Sequence, residues 1–310
     1  MKSSECFTID ISVQQDKPLV KKDKKTIFRF KQSKWWNLFY PTIMKADPFL
    51  FVHNNRLHLF YEEMCIGKGL GVIKHLHTDD LTHWSKPELI THEPQCHFSY
   101  PWVFEDNGYI YMMPETGCDH NIRLYKAAND ELTEFVKYKV ILERKQEYWD
   151  GIKFDFADSC IYKKEGNYYL FTSYYDGAKY HLELYISEHL EGPYSLHPMS
   201  PICEGNMFGR CAGSLIEKDG KLYRPAQDCS IVYGGQVHLM EIDDLSPTNY
   251  EEHVLKENVL PKNLTLYKNG GHQLNFAEFL GQTVVATDVR YLCSFLMERI
   301  RLKLLKMLHL

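Results

Sequence analysis

The sequence predicts an all-β protein: a single five-bladed β-propeller with a short C-terminal amphipathic helix. Two observations predict the propeller. A strand–turn–strand module occurs five times at nearly regular intervals, and aromatic residues that favour strands are abundant, with 21 Tyr and 17 Phe. Repeats of three or four antiparallel strands are typical of propeller blades. A chain of 310 residues is compatible with one closed all-β domain.

A two-residue turn joins the two strands of each copy. Tight hairpins need positive φ at both turn residues, which Asn, Asp and Gly tolerate best. The turn pairs are Asn54-Asn55, Asn107-Gly108, Glu165-Gly166, Asp219-Gly220 and, with the weakest turn sequence, Leu280-Gly281. Each copy therefore predicts a β-hairpin, and a third strand follows each of the first four copies.

Aligning the copies on their turns defines two register positions. The first has Asp47, Tyr100, Asp158, Ala212 and Gln273, so successive copies are 53, 58, 54 and 61 residues apart. The second has a polar residue in every copy, namely Glu62, Glu115, Ser173, Gln227 and Asp288. Because the innermost strands of a propeller line its axis, we expect these side chains to converge on one axial pocket.

The two ends of the chain lie outside the repeat. Residues 1–34 are predicted to form an N-terminal arm and a ring-closing strand, with 26–31 as the candidate strand, because closure removes an exposed sheet edge. The propeller is expected over 35–290. Residues 291–310 have apolar positions three and four apart among basic ones, which predicts an amphipathic helix. Such a helix can lie on an anionic membrane or pack on protein.

Composition limits the function classes. A net charge of −5 gives no basic footprint for nucleic acid. Nine scattered Cys without a CxxC pair predict a reduced cytosolic chain with neither a disulfide framework nor a zinc site. The N-terminal sequence lacks the apolar core of a signal peptide, and no apolar window is long enough to span a membrane. The expected location is cytoplasmic, with contact to the inner membrane face left open.

Carboxylates at the two register positions are the candidate catalytic groups: Asp47, Asp158 and Glu115. Glycosyl chemistry needs carboxyl groups that act as base, nucleophile or acid in one place. A carboxyl group near others acquires a raised pKa, which suits an acid. Structural roles stay open: Asp47 precedes a proline as turn residues do, and Glu62 adjoins Glu63, so one of those two must point away.

Further polar and aromatic residues are candidates for substrate binding. Two arginines of the fourth copy can hold a phosphate or carboxylate by bidentate hydrogen bonds, or they can pair with the pocket's own carboxylates. Aromatic rings can stack on sugars. The predicted substrate-binding residues are Glu62, Tyr100, Arg210, Arg224, Gln227, Asp228, Tyr233, His272 and Asp288. Phosphate-loop, dinucleotide, metalloprotease and hydrolase motifs are missing from the sequence, so neither a cofactor nor a metal is expected.

Several short motifs together resemble a known family. They are Asp47-Pro48-Phe49, Ser99-Tyr100-Pro101, Pro114-Glu115, Asn121 with Leu124-Tyr125, Asp158, Arg210 with Ala212-Gly213, Arg224-Pro225 with Gln227, Tyr233-Gly234 and Gly271-His272. The chain resembles, over roughly 35–290, the N-terminal propeller domain of plant glucosamine inositolphosphorylceramide transferase and its bacterial relatives. That family is similar to five-bladed arabinanase- and invertase-type glycosidases.

The resemblance implies a five-bladed propeller and a role in glycan metabolism, which for bacterial relatives means surface-polysaccharide assembly. It implies a base or nucleophile at Asp47, a charge-modulating carboxylate at Asp158 and, by a looser correspondence, the general acid at Glu115. The plant protein also has a separate glycosyltransferase domain without counterpart in this sequence, which leaves an accessory role open.

Three functions follow as alternatives. The leading expectation is a glycosyltransferase that uses a nucleotide sugar and a lipid-linked glycan acceptor, favoured by the paired arginines and by membrane-surface contact through 291–310. The second is a glycoside hydrolase or phosphorylase of the arabinanase–invertase type, favoured by the carboxylates. The third is a non-catalytic glycan-binding module. Dependence on a nucleotide-sugar donor distinguishes the first from the second.

Overall fold

A computed structural model describes residues 4–14, 25–30, 43–65, 70–91, 96–116, 119–145, 152, 154–260 and 270–293, and the single positions 300, 303, 304 and 307. Over these residues the chain folds into five antiparallel sheets arranged as the blades of a propeller, so the predicted five-bladed propeller is confirmed. Each copy of the sequence module provides the hairpin that begins a blade.

The strands are numbered in chain order. Blade one contains β3 (Ile43–His53), β4 (Arg56–Cys65), β5 (Gly71–Thr78) and β6 (Glu88–Thr91). Blade two contains β7 (Ser99–Asp106), β8 (Tyr109–Glu115), β9 (Asn121–Ala127) and β10 (Phe135–Glu143). Blade three contains β11 (Phe154–Lys164), β12 (Asn167–Tyr175) and β13 (Tyr180–Ser187), with the short β14 (Ser195–Leu196) and β15 (Cys203–Glu204) both paired to β13.

Blades four and five complete the ring. Blade four contains β16 (Ile216–Lys218), β17 (Lys221–Asp228), β18 (Gln236–Leu245) and β19 (Tyr250–Lys256). Blade five contains, from the inside outwards, β20 (Leu274–Phe279), β21 (Gln282–Cys293), β1 (Ser4–Gln14) and β2 (Lys25–Arg29). The last blade therefore combines strands from both ends of the described chain.

The strand that joins the two ends differs from the predicted one. β1 lies between β21 and β2 and pairs with β21 from Ser4↔Cys293 to Gln14↔Thr283. The segment 26–31, which the sequence favoured, contributes only the outermost strand β2. The reason is burial: Ile9 and Ile11 of β1 are fully buried, whereas most of β2 is exposed.

The predicted C-terminal helix is not supported. Residues 291–293 continue β21, because their backbone still pairs with β1. Most of the rest of 291–310 lies outside the described residues, so its contact with a membrane or a partner stays a prediction. Within the described part of the chain, no helix is long and apolar enough to span a lipid bilayer.

The five predicted turns adopt the expected conformation. Both residues of every turn have φ between 49° and 82°, as the tight hairpin requires. This includes Leu280-Gly281, where an exposed leucine occupies the left-handed region. The turns fix the register of each hairpin, and hence the places where the inner strands present their side chains to the axis.

The hydrophobic core lies between the blades rather than within them. One apolar cluster joins blades one and five, a second joins blades one and two, and a third joins blades four and five. The largest cluster connects blades two, three and four. Every interface between neighbouring blades is therefore filled with apolar side chains, which holds the inner strands around a fixed axis.

One cysteine contradicts the prediction of a fully reduced chain. Cys6 on β1 is disulfide-bonded. The described cysteines that form no disulfide are Cys65, Cys96, Cys160, Cys203, Cys211 and Cys229. Spacing along the sequence does not reveal a bond that forms only when the fold brings two cysteines together.

Two buried histidines lie in blade one. His58 on β4 and His75 on β5 are each 1% exposed, and Nδ1 of His58 lies 2.8 Å from Nε2 of His75. Burial, and then repulsion from neighbouring cationic groups, lowers the pKa of His58 to about 4 and that of His75 to about 3. Both imidazoles are therefore neutral in the folded protein over most of the physiological pH range.

We expect acid to destabilise the fold through these two histidines. Below about pH 6.5 the unfolded state binds protons that the folded state excludes, so stability is lost as the pH falls from 6.5 towards 4. Each group alone accounts for about 2 kcal/mol at pH 5. Urea unfolding at pH 8 and pH 5 measures the loss. The double variant His58→Leu/His75→Leu should flatten the pH dependence, whereas His83→Asn, at an exposed site, should not.

Candidate active site

A cavity of about 570 Å³ opens at one end of the propeller axis, and all five blades contribute to its wall. Its lining residues are Phe7, Met44, Asp47, Glu62, Met64, His97, Ser99, Glu115, Tyr175, Tyr180, Arg210, Tyr233 and His272. A second cavity, of about 480 Å³, lies between β16 and β20 and shares none of these residues. The first cavity therefore brings together three carboxyl groups, Asp47, Glu62 and Glu115, and two basic side chains, Arg210 and His272, that are distant in sequence.

The first register position is a β-bulge in three of the blades. Asp47, Tyr100 and Asp158 have φ of 52°, 46° and 50°, and the strand register shifts at each of them. A bulge re-aims a side chain and interrupts the regular alternation. Left-handed backbone at a residue other than glycine costs about 1–2 kcal/mol, and such strain clusters at functional sites. The repeated bulge presents these three residues to the axis.

His272 connects two carboxylates. Its Nε2 lies 3.1 Å from Oδ1 of Asp47, and its Nδ1 lies 2.5 Å from Oδ2 of Asp288 on β21. The other oxygen of Asp288 accepts hydrogen bonds from the backbone N–H groups of His272, at 2.7 Å, and Gln273, at 3.0 Å. The three side chains form a row that runs from the wall of blade five to the cavity.

The row determines the charge of its members. Burial opposes protonation of His272, but the charges of Asp288 and Asp47 outweigh it and raise the pKa of His272 well above its usual value. Burial also opposes ionisation of Asp47. Nevertheless, the His272 cation and a hydrogen bond of 3.1 Å from the backbone N–H of Tyr100 lower the pKa of Asp47. Asp47 is thus an ionised carboxylate on the cavity wall.

A second set of groups surrounds Asp158. Arg210 Nε donates a short hydrogen bond to Oδ2 of Asp158, and Gln227 Nε2 donates to the same oxygen at 2.8 Å. Arg210 also donates to the hydroxyl of Tyr180 at 3.1 Å, and its Nη2 lies 3.8 Å from Oε2 of Glu115. Arg210 therefore pairs with carboxylates of the pocket itself, which was one of the two alternatives that the sequence left open.

Glu115 is a buried carboxyl group on the cavity wall. Its Oε2 accepts a hydrogen bond of 3.0 Å from the backbone N–H of Asp158. Burial, followed by repulsion from the Asp158 carboxylate, raises the pKa of Glu115 to about 8, although the Arg210 charge opposes the rise. Glu115 consequently carries a proton at neutral pH, whereas Asp47 does not.

Glu62 and His97 form the remaining polar wall. Burial and the nearby charge of Asp47 raise the pKa of Glu62 well above its usual value. Nδ1 of His97 accepts a hydrogen bond of 2.9 Å from the backbone N–H of Gly71, so its proton lies on Nε2, which is 3.4 Å from Oε1 of Glu62. Oε1 of Glu62 is buried and makes no hydrogen bond to the described residues.

Asp47, His272 and Asp288 are also the described groups whose potential metal-ligand atoms lie within 4.8 Å of one another. Both imidazole nitrogens of His272 face carboxylates, and the protonated ring has no lone pair for a metal ion. The arrangement fits a row of ion pairs better than a metal site.

Several predicted binding residues have other positions. Arg224 is fully buried, and its guanidinium is bonded to Glu252 of β19, so we assign it a structural role. Asp228 does not line the cavity and accepts hydrogen bonds from Ser230 in a turn. Tyr100 is fully buried, and its hydroxyl accepts a hydrogen bond from the backbone N–H of Gly213.

Seven lining residues were not predicted from the sequence: Phe7, Met44, Met64, His97, Ser99, Tyr175 and Tyr180. Ser99 adjoins Tyr100, which occupies the first register position, so this adjacency was a usable signal for Ser99. His97 and Tyr180 lie just outside the aligned module. Phe7 belongs to β1, whose place in the ring the repeat pattern did not reveal.

The fold and the cavity define a five-bladed β-propeller whose axial cavity holds one ionised carboxylate, Asp47, and two carboxyl groups of raised pKa, Glu62 and Glu115. The family described as "Glucosamine inositolphosphorylceramide transferase 1, N-terminal" matches residues 32–276, and the chain belongs to this family. The resemblance noted from the sequence motifs is therefore confirmed.

One sequence relative and two solved structures are similar to this chain. Glucosamine inositolphosphorylceramide transferase 1 of Oryza sativa subsp. japonica is 33% identical over 224 residues, which are 69% of this chain but only 28% of the rice protein. The α-L-arabinanase of Cellvibrio cellulosa, in complex with arabinohexaose, has a TM-score of 0.55 at 20% identity over 72% of this chain and 82% of its own. A β-fructofuranosidase of Bombyx mori has a TM-score of 0.55 at 17% identity, over 77% of this chain and 54% of its own. At these identities the solved structures show the shared fold alone.

Proposed function

We propose that this protein is a glycosyltransferase of surface-polysaccharide assembly and that transfer takes place in the axial cavity. The observation that carries the proposal is the opposite ionisation of two carboxyl groups on one wall, Asp47 as carboxylate and Glu115 as acid. Pairs of acids whose environments separate their pKa values in this way divide the roles of base and acid between them. The relatives' names as transferases support transfer to an acceptor over hydrolysis.

The proposed reaction assigns one role to each group. Asp47 accepts the proton of the acceptor hydroxyl while the oxygen of that hydroxyl bonds to the anomeric carbon of the donor sugar. The bond from that carbon to the leaving oxygen breaks, and Glu115 donates its proton to this oxygen. Asp158, held by Arg210 behind the wall, offsets positive charge that develops on the sugar ring.

We further propose a nucleotide-sugar donor and a lipid-linked acceptor, the latter in keeping with the ceramide in the relatives' name. One observation favours a glycosidase-type enzyme as the second candidate. The two cations of the described cavity wall, Arg210 and His272, already pair with carboxylates, and a diphosphate leaving group needs cations more than it needs a proton. The identity of the leaving group thus separates the two candidates.

Thermal-shift screening of the purified protein tests the proposal, because a ligand that binds the folded state raises its melting temperature. The panel contains nucleotide sugars, free nucleotides, glucosamine, N-acetylglucosamine and arabino-oligosaccharides. Each hit is then incubated with candidate acceptors and the products are analysed. Stabilisation and transfer with a nucleotide sugar support the transferase. Hydrolysis of oligosaccharides alone supports the glycosidase, and binding without turnover leaves a glycan-binding module.

The pH dependence of turnover is a prediction of its own. Since Glu115 must be protonated, kcat/KM is expected to fall as the pH rises through about 8. With a donor whose leaving oxygen needs a proton, Glu115→Gln should lower the rate about a hundredfold or more and abolish this limb. A donor with a nitrophenolate leaving group, which needs no proton, should restore most of the rate of the variant. A wild-type rate that increases through pH 8 would contradict the assignment of Glu115 as acid.

A further inference from the structure

The ring-closing strand β1 brings one side chain into the axial cavity. Phe7 is 3% exposed and lines the cavity next to His272. Its ring centroid lies 4.2 Å from that of His272 at an interplanar angle of 45°, and 6.0 Å from that of Tyr233 at 84°. An N-terminal strand thus covers one face of the imidazole that joins Asp288 to Asp47.

The backbone opposite Phe7 is shaped to admit its ring. Gly234 has φ of 62°, and a Cβ at this position would lie 2.8 Å from Cζ of Phe7. A side chain there would be strained by the backbone conformation and would collide with the ring. The close approach fixes Phe7 from the side of blade four, while its own strand fixes it from the side of blade five.

β1 also holds the strand that carries Asp288. It pairs with β21 along eleven consecutive residue pairs, and Ile9 stands opposite Asp288. The family match ends at residue 276 and begins at residue 32, so Phe7 and Asp288 both belong to segments that it does not reach. Two of the groups in contact with His272, Phe7 and Asp288, therefore come from the closing blade and lie outside the matched range.

We propose that Phe7 is a positioning residue for His272. Its ring keeps the imidazole in the row between Asp288 and Asp47 and shields that row from water, and so keeps Asp47 oriented towards the cavity. An aromatic face next to a cation also stabilises the charged form. Only the final step, the use of Asp47 in catalysis, rests on the proposed function.

The charged row interacts with groups from four blades. The titratable side chains that interact with His272 are Asp47, Glu62, Asp158, Cys229, Tyr233 and Asp288. Replacement of Phe7 leaves all six in place, so a change in the behaviour of His272 in a Phe7 variant reports the loss of the ring and not the loss of a charge.

The test follows the ring protons of His272 by ¹H–¹⁵N NMR of the full chain, with the signals assigned through His272→Gln. In Phe7→Ala we expect exchange of these protons with water to accelerate about tenfold or more and the pKa of His272 to fall. Phe7→Leu, which restores apolar bulk without the ring, should lie between Phe7→Ala and the wild type. No substrate is needed, so the result does not depend on whether the proposed glycosyl transfer is correct.

Ile11→Ala is the matched control. Ile11 lies on the same strand and the same face as Phe7, is fully buried, and packs in the core between blades one and five. Its replacement should lower the melting temperature but leave the exchange rate and pKa of His272 unchanged. If Phe7→Ala likewise lowers the melting temperature and leaves both His272 quantities at wild-type values, Phe7 is structural only and the proposal is overturned.

Discussion

Replacement of Asp47 by Asn is expected to lower kcat/KM for glycosyl transfer about a thousandfold or more, with little change in the melting temperature. The amide keeps the shape of the side chain, and its oxygen can still accept the hydrogen bond from the backbone N–H of Tyr100, while its NH2 group then faces Nε2 of His272. It cannot take up the proton of an acceptor hydroxyl. His272 retains its contact of 2.5 Å with Asp288, so the buried imidazole still has one carboxylate partner.

The measurement is a steady-state assay with the donor and acceptor identified by screening, accompanied by a melting curve of each variant. Asp243→Asn is the matched control, since Asp243 is a partly exposed carboxylate paired with His253 far from the cavity wall. It should retain the wild-type rate. Equal rates for Asp47→Asn and the wild type, in correctly folded protein, would remove Asp47 from the mechanism and favour a glycan-binding module.

The site could be predicted from the sequence where the repeat itself carried the information. Turn residues fixed the hairpin register, and register fixed which positions face the axis. Asp47 and Glu115, which line the cavity, were selected in this way, as was Asp158, which lies behind the cavity wall. The bulge that turns Asp47, Tyr100 and Asp158 towards the axis is a backbone feature. It has no residue signature of its own, because none of the three is glycine.

The remaining features depend on contacts between distant segments. Phe7 and Cys6 lie on a strand whose alternation of polar and apolar residues resembles any half-buried strand, and only closure of the ring brings it next to His272. Which carboxylate each arginine pairs with likewise depends on distances in the folded chain. The sequence could place Arg210 and Arg224 on the same blade, but it could not show that one contacts Asp158 and the other Glu252.

Arg224→Ala is expected to have the largest effect on stability. The Arg224 side chain has no exposed surface and makes two hydrogen bonds to Glu252, of 2.9 and 2.6 Å, and one of 3.1 Å to the carbonyl of Phe208. Its removal leaves the carboxylate of Glu252 buried, with only the hydroxyl of Tyr250 as a donor, at 2.7 Å. An orphaned buried charge costs about 3–5 kcal/mol, which corresponds to a fall of about 5–8 °C in melting temperature for a chain of this length.

A double variant separates this structural role from substrate binding. Arg224→Met/Glu252→Gln removes both charges and keeps an acceptor for the Tyr250 hydroxyl, so most of the lost stability should return. Lys221→Ala, which breaks an exposed pair with Glu241 on the neighbouring strand, should barely change the melting temperature. The double variant should also bind the screened ligand as the wild type does. Restored stability with lost binding would show instead that Arg224 contacts the substrate in the liganded state, as the sequence suggested.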